Sequence, residues 1–495
     1  MNAPAPPTPG VPARRRRIAR PTRLRLGLAA LAAALIGIGC GGGSEDEPLE
    51  PASPGAGETA DAFPPAPGVG DGPLDPPVDQ ALDELVRSAT EGVFDREALE
   101  TVAGSGDPRL AWLVSDLLRF VSGGAEEAAL VSAFGELTGV DIGEDAEEAG
   151  SSWLAVTDHL IAWDLPAPPG YRERKAELFL AVEPAWKPFF DDADSTIDWR
   201  LVSWGGVLID DRPAGDPDPC PRGCIPALDD PALTAASEGG WYDDDRTVFG
   251  VVAGGEAVAF PKNIMEVHEM VNVTIGGRRL GIPYCTLCGS AQAYFLDSAP
   301  EGVGRPVLRT SGLLSRSNKV MYDLRSRSVL DTFTGRALSG PLQDAGVTLE
   351  QTTVVASTWG EWKRAHPQTR IVAEDGGIGR DYPADPLGGR DDGGPIFPVG
   401  DVDPRLPVQA DVVGVVAPDG KPVAFPVDEA LAALAEGQRV AIAGVEAVAD
   451  GDGVRVRTTA GEELPAHQAF WFAWSQFNPG TELWTPAPGA GAASR

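Results

Sequence analysis

Val248-Phe249-Gly250-Val251-Val252-Ala253-Gly254-Gly255-Glu256-Ala257-Val258-Ala259-Phe260-Pro261 returns further along the chain as Val412-Val413-Gly414-Val415-Val416-Ala417-Pro418-Asp419-Gly420-Lys421-Pro422-Val423-Ala424-Phe425-Pro426. Each copy reads as a strand rich in β-branched residues, a tight glycine turn, a second strand and a proline at the exit. A segment with helical spacing follows each. The shared V-x-G-V-V openings and V-A-F-P endings indicate an internal duplication, with the central segment and one cysteine pair between the copies. Around it, everything after Trp199 consists of short β-type runs divided by Gly, Pro and Asp.

The chain before Trp199 has a different texture. Ala81, Leu82, Leu85 and Val86 recur at three- and four-residue spacing, and Asp107-Pro108 opens a second amphipathic run from Leu110 to Phe120. Further helical patterns span 126–137, 152–163 and 171–182, interrupted at Pro166, Pro168 and Pro169. No fixed repeat period is present, so a bundle of short helices is expected. The fold class is α+β: a helical domain over 79–195, then a β-rich domain over 196–485 containing the duplicated hairpin. Residues 372–408 form a long glycine-rich, acidic stretch, expected to be functional or mobile.

The N-terminus reads as an export signal. Arg14 to Arg17 form a basic region, Leu26 to Gly39 an apolar run of roughly 14 residues, too short to span a bilayer, which takes about 20. Small residues then lead into Cys40, followed at once by flexible acidic chain. The arrangement resembles the lipobox of bacterial lipoproteins, with Gly37 where Leu is usual. The expected organisation is a signal peptide over 1–40, lipid on Cys40, a disordered acidic Pro/Gly spacer over 41–78, and a disordered tail over 486–495. The protein is accordingly expected outside the cytoplasm, held on a cell-envelope membrane through Cys40; the alternative is a secreted soluble protein.

The formal charge is -33, and the seven Arg and no acids of the first 44 residues would leave about -40 after removal of the leader. Such a surface repels nucleic acid, which is excluded as a partner.

With Cys40 acylated, four cysteines remain. Tyr284-Cys285-Thr286-Leu287-Cys288-Gly289-Ser290 holds two at a spacing that suits three roles: a redox pair, half of a tetrahedral metal shell, or a disulfide in a tight turn. His268 lies upstream in Lys262–Asn272, which, if helical, puts His268 on one face with Ile264, Met265 and Asn272. His268 is the candidate third ligand or base. As a metal centre the set Cys285, Cys288 and His268 would take a thiophilic ion, zinc or copper; as a catalytic set, Cys285 attacks and Cys288 resolves. Met265 and Met270 suggest copper, but at helical spacing they read as core. Cys220-Pro221-Arg222-Gly223-Cys224 reads as a local disulfide, or as the other half of a four-thiolate site. Ser317, Asn318, Tyr322 and Asp323 form a polar run suited to a small ligand or to a strand with a turn. Trp359, Trp362 and Phe470–Trp474 read as core aromatics. No phosphate loop, nucleotide fingerprint, zinc-protease motif or nucleophile elbow is present, and four histidines do not suffice for a multi-histidine centre.

Ile225-Pro226-Ala227-Leu228-Asp229-Asp230-Pro231, His268-Glu269-Met270-Val271-Asn272, the Cys285–Cys288 run, Ser317-Asn318-Lys319-Val320-Met321-Tyr322-Asp323, Thr334-Gly335 to Gly340-Pro341-Leu342 and Thr358-Trp359-Gly360-Glu361-Trp362 occur in that order. Together they resemble the domain-of-unknown-function family 3179 over roughly 200–480. The resemblance implies relatives and no reaction. Members commonly show Cys-Pro-Leu-Cys where Thr286 stands here, and a His near the position of Asn478. Cys220 and Cys224 are outside the family pattern, which favours a local disulfide. Two functions are therefore expected to compete: a metal or thiol-redox site at Cys285 and Cys288, or a non-catalytic envelope protein with structural disulfides that binds a protein, small molecule or glycan. Reactive cysteines should line a cleft.

Overall fold

The computed structural model describes residues 63–391 and 393–486. The expected export signal, Cys40, the expected spacer up to residue 62 and the residues from 487 lie outside the described residues. No helix among those described is long and apolar enough to cross a membrane.

Helices fill the first part: Pro76–Thr90, Arg96–Ala103, Ala111–Leu118, Gly124–Thr138, Gly143–Glu148, Ser152–Ala162, Tyr171–Val182 and Lys187–Asp191. Their starts follow from local chemistry. Asp95 accepts from Ala98 N at 3.0 Å and Ser151 from Leu154 N at 3.4 Å, satisfying amides that a helix leaves unpaired. Leu82, Leu85 and Val86 are buried as the spacing requires. The segment 63–75, counted as spacer from composition, packs instead on these helices: Pro64 O accepts from Trp163 Nε1 at 2.6 Å and Gly72 O from Arg109 at 3.0 Å. Its prolines and glycines are compatible with an extended strap as well as with a free linker.

Packing runs on past residue 195. Trp186 Nε1 donates to Ser311 O at 2.7 Å, and Phe189 lies 5.4 Å from the Tyr322 ring. The helices and the sheet of Val202–Trp204, Leu308–Ser315, Asn318–Asp323 and Val329–Leu330 thus share one core.

The duplicated hairpins are present, and the repeat is longer than its sequence signature. In the first copy, Thr247–Ala253 and Glu256–Pro261 pair antiparallel around Gly254-Gly255, both at positive φ as a two-residue turn requires. Val354–Thr358 pairs on the outer side and Arg370–Val372 runs parallel on the other. In the second copy, Asp411–Val416 and Pro422–Pro426 are flanked in the same way by Ala466–Phe470 and Glu482–Leu483. Each outer strand leads into a helix, Trp359–Ala365 or Trp471–Phe477, whose second tryptophan lies on the glycine of the hairpin. Trp362 Nε1 donates to Thr369 Oγ1 at 2.9 Å and Trp474 Nε1 to Thr481 Oγ1 at 3.1 Å. The aromatics read as undifferentiated core are therefore the matching second halves of the two repeats.

What separates the halves differs. The second copy inserts a small meander, Ala441 to Leu464; the first inserts the central sheets, which carry Cys285 and Cys288.

Candidate functional site: a buried dithiol beside a lysine

Cys285 ends the strand Arg278–Cys285, and Thr286–Cys288 form one 3₁₀ turn. Gly289, at φ +57°, reverses the chain so that Ser290 pairs back onto Cys285. A side chain there would also meet the Phe470 ring at 3.0 Å, so glycine fits both the conformation and the space. Both cysteines are free; Cys285 is 2% exposed and Cys288 0%.

The opposing wall is the turn between Leu308–Ser315 and Asn318–Asp323. Ser315 pairs with Asn318, leaving Arg316 and Ser317 as a two-residue turn at φ +48° and +67°. Non-glycine residues there are strained by about 1 kcal/mol or more each. The turn brings Ser317 O to 3.6 Å from the Sγ of both cysteines. It also brings Lys319 in. The Lys319 side chain, 4% exposed, pairs with Glu269 Oε2 at 3.0 Å and donates to Glu269 O and to Tyr284 O, the latter at 3.3 Å. Glu269 is held in turn by Thr286 Oγ1 at 3.3 Å.

Electrostatics make the thiols unequal. Burial alone would raise Cys285, but a hydrogen bond from Cys288, the Lys319 amide and the Lys319 charge outweigh burial and Glu269, and Cys285 falls below the ordinary thiol value. Cys288 is pushed well above it, first by burial, then by its hydrogen bond to Cys285 and by the negative charge there. Burial also lowers Lys319 against the pull of Glu269.

Cys285 lines a cavity of about 80 Å³ together with Glu269, Thr286 and Lys319 and with the apolar Leu313, Leu314 and Phe397. Cys288 lies behind it. Phe397 belongs to the long acidic segment, which crosses to the helices: Asp158 accepts from Val399 N and Gly400 N at 2.7 Å each, and Phe397 stands edge-on to Trp153 at 5.8 Å.

His268 is not part of this site. The helix Lys262–His268 ends there, Glu269 turns at φ +49°, and Asn272 falls in the next strand instead of on the helix face. His268 Nδ1 bonds to Pro226 O at 2.6 Å and Nε2 to Tyr382 OH at 2.7 Å. Both nitrogens are thus spent, and burial lowers its pKa to about 4. Neither base nor third ligand remains in it for the cysteines. Among the described residues no three His, Cys, Asp or Glu side chains are grouped to hold a metal ion. The positive charge that acts on Cys285 is that of Lys319, and the described residues give no support to a zinc or copper centre there. Met265 and Met270 are core residues.

Cys220 and Cys224 form a local disulfide, with Cα atoms 5.6 Å apart, which rules out the four-thiolate site. Of the polar run, Tyr322 OH bonds to Asp210 O at 2.7 Å, and Asp323 accepts from Val307 N at 2.7 Å and Ser326 N at 2.8 Å. These two hold strands and loops together and do not face a ligand. Ser317 and Asn318 flank the thiols, with Ser317 Oγ and Asn318 Oδ1 buried and unpartnered.

The family described as "Protein of unknown function (DUF3179)" matches residues 222–460. Those residues belong to that family. No curated protein matches the chain, and no solved structure does. The DUF3179 span holds Glu269, Cys285, Cys288 and Lys319, so the whole dithiol site lies inside it. It begins after Cys220 and stops before Trp471–Phe477, the helix that closes the second repeat.

Lys319 and Glu269 stood in the motif runs, but nothing in the sequence pairs residues 50 apart. A Lys in a strand whose residues are otherwise buried is the one available hint.

Proposed function

We propose that this is an exported lipoprotein, anchored through Cys40, whose Cys285 and Cys288 cycle between dithiol and disulfide. The carrying observation is the asymmetry of the pair: Cys285 lines the cavity beside the Lys319 ammonium, while Cys288 is sealed behind it within reach of the same carbonyl. A thiolate is the attacking species, and a neighbouring cation favours it. In the forward step the Cys285 thiolate attacks, and the Cys288 thiol then displaces the group on Cys285. The pair gives up two electrons and two protons and closes as a disulfide.

The test is a redox titration of the purified mature protein in dithiol/disulfide buffers, with the Cys285–Cys288 bond read by mass spectrometry. A reversible two-electron midpoint supports the reading. A pair that stays reduced under every buffer, with stability unchanged in Cys285→Ser, refutes it and leaves a non-catalytic envelope protein. For the anchor, Cys40→Ser should move the protein from the membrane to the soluble fraction; unchanged fractionation would refute acylation.

A further inference from the structure

We infer that the reactant of this dithiol is a small hydroperoxide, reduced to its alcohol or to water in the cavity that Cys285, Lys319 and Phe397 line. The inference rests on the redox reading above and adds the substrate class.

Size comes first. A buried water needs about 10–15 Å³, so a cavity of about 80 Å³ suits a small reactant. Cys285 is 2% exposed and Cys288 fully buried. Polarity comes second. Leu313, Leu314 and Phe397 contribute apolar lining, which disfavours charged reactants that must shed water. Hydroperoxides are uncharged at neutral pH. The leaving group comes third. Breaking O–O releases an alkoxide or hydroxide, which needs a proton and a positive charge close by. Lys319 is on the cavity wall and supplies both. Two of its bonds go to Glu269; the third, 3.3 Å to Tyr284 O, is long enough for the leaving oxygen to displace.

The chemistry balances. Cys285 thiolate attacks the terminal oxygen of ROOH, forming S–O as O–O breaks; RO⁻ takes a proton from Lys319 and leaves as ROH. Sulfur has lost two electrons to the peroxide and stands as a sulfenic acid. The Cys288 thiol attacks Cys285 Sγ, the S–O bond breaks, and the hydroxyl leaves with the Cys288 proton as water. The disulfide returns to dithiol by exchange with an external dithiol reductant. One of that reductant's protons restores the Lys319 ammonium and the other the Cys288 thiol. The two thiols are hydrogen-bonded to each other, so disulfide closure needs no second protein.

The experiment mixes the reduced mature protein with hydrogen peroxide, tert-butyl hydroperoxide or diamide and follows thiol loss by stopped flow and mass spectrometry. Both peroxides should close Cys285–Cys288 at least 100-fold faster than they oxidise the urea-unfolded chain, with one alcohol formed per disulfide. Lys319→Met should slow the peroxide reaction by about 10², a larger factor than its effect on diamide. Cys288→Ser should stop at a sulfenic acid on Cys285, captured by dimedone; this readout decides the matter if Lys319→Met does not fold. Closure by diamide with peroxides no faster than on the unfolded chain overturns the substrate class and leaves the redox reading standing. Closure by none of the three overturns both.

Discussion

Replacing Gly414 by Ala tests the repeat packing that supports the site. An added Cβ would lie 2.1 Å from Cε3 and 2.2 Å from Cζ3 of Trp474. Carbon atoms settle at about 3.5–4.0 Å, so the ring must retreat by more than an ångström. It has nowhere free to go: Trp474 is buried, its Nε1 is bonded to Thr481 Oγ1 at 3.1 Å, and His467 stands edge-on at 5.5 Å. Overpacking costs about 1–3 kcal/mol, and loss of the indole hydrogen bond about 1 kcal/mol. The smaller entropy of the unfolded Ala chain offsets about 0.4–1 kcal/mol, since Gly414 has no positive φ. The net expectation is a loss of about 1–3.5 kcal/mol. Gly250→Ala, whose Cβ would meet Trp362 at 2.4 Å, should behave alike. Urea unfolding measures both, with Gly240→Ala, which has nothing within 4 Å, as the control expected within about 0.5 kcal/mol of the parent. Trp474 shares a core with Cys285 and Cys288, so Gly414→Ala should also alter their alkylation rate. A parent-like or stabilised Gly414→Ala protein would refute the reasoning.

Three further outcomes are expected. In Cys288→Ala, which removes one helping hydrogen bond, the pH profile of Cys285 alkylation by iodoacetamide should shift up further when Lys319 becomes Met; identical profiles would exclude the lysine as the stabiliser of the thiolate. Removing the Cys220–Cys224 disulfide by double Ala substitution should cost about 2 kcal/mol, from the entropy of a five-residue loop, and leave Cys285 reactivity unchanged; altered reactivity would couple the two pairs. Burial lowers His467 from 6.5 to about 4, so the unfolded chain takes up its proton first on acidification. The stability contributed by neutral His467 is therefore present above pH 6.5 and lost as pH falls to about 4, by up to about 3 kcal/mol. His467→Gln should lose less stability over that interval than the parent protein, and parallel profiles would contradict the assignment.

Fold class, the hairpin duplication, the helical N-terminal part, a local disulfide as the first reading of Cys220 and Cys224, and the Cys285–Cys288 pair were all legible in the sequence alone. All of these are written in short-range terms: alternation of β-branched residues, a Gly-Gly turn, proline at a strand exit, helical spacing, and cysteines three or four residues apart. It also determined the family, because those runs occur in a fixed order. It did not reveal that Trp359–Ala365 and Trp471–Phe477 complete the repeats, since inserts of very different length separate them from their hairpins. Nor could it place His268. Helical periodicity put it with Asn272, whereas the chain leaves the helix at Glu269, so adjacent residues in the sequence face different cavities. Which side chain joins the cysteines is a matter of tertiary structure: a strand turn about 30 residues downstream folds back and delivers Lys319. Burial then turns that contact into an electrostatic difference between two thiols that look equivalent in sequence.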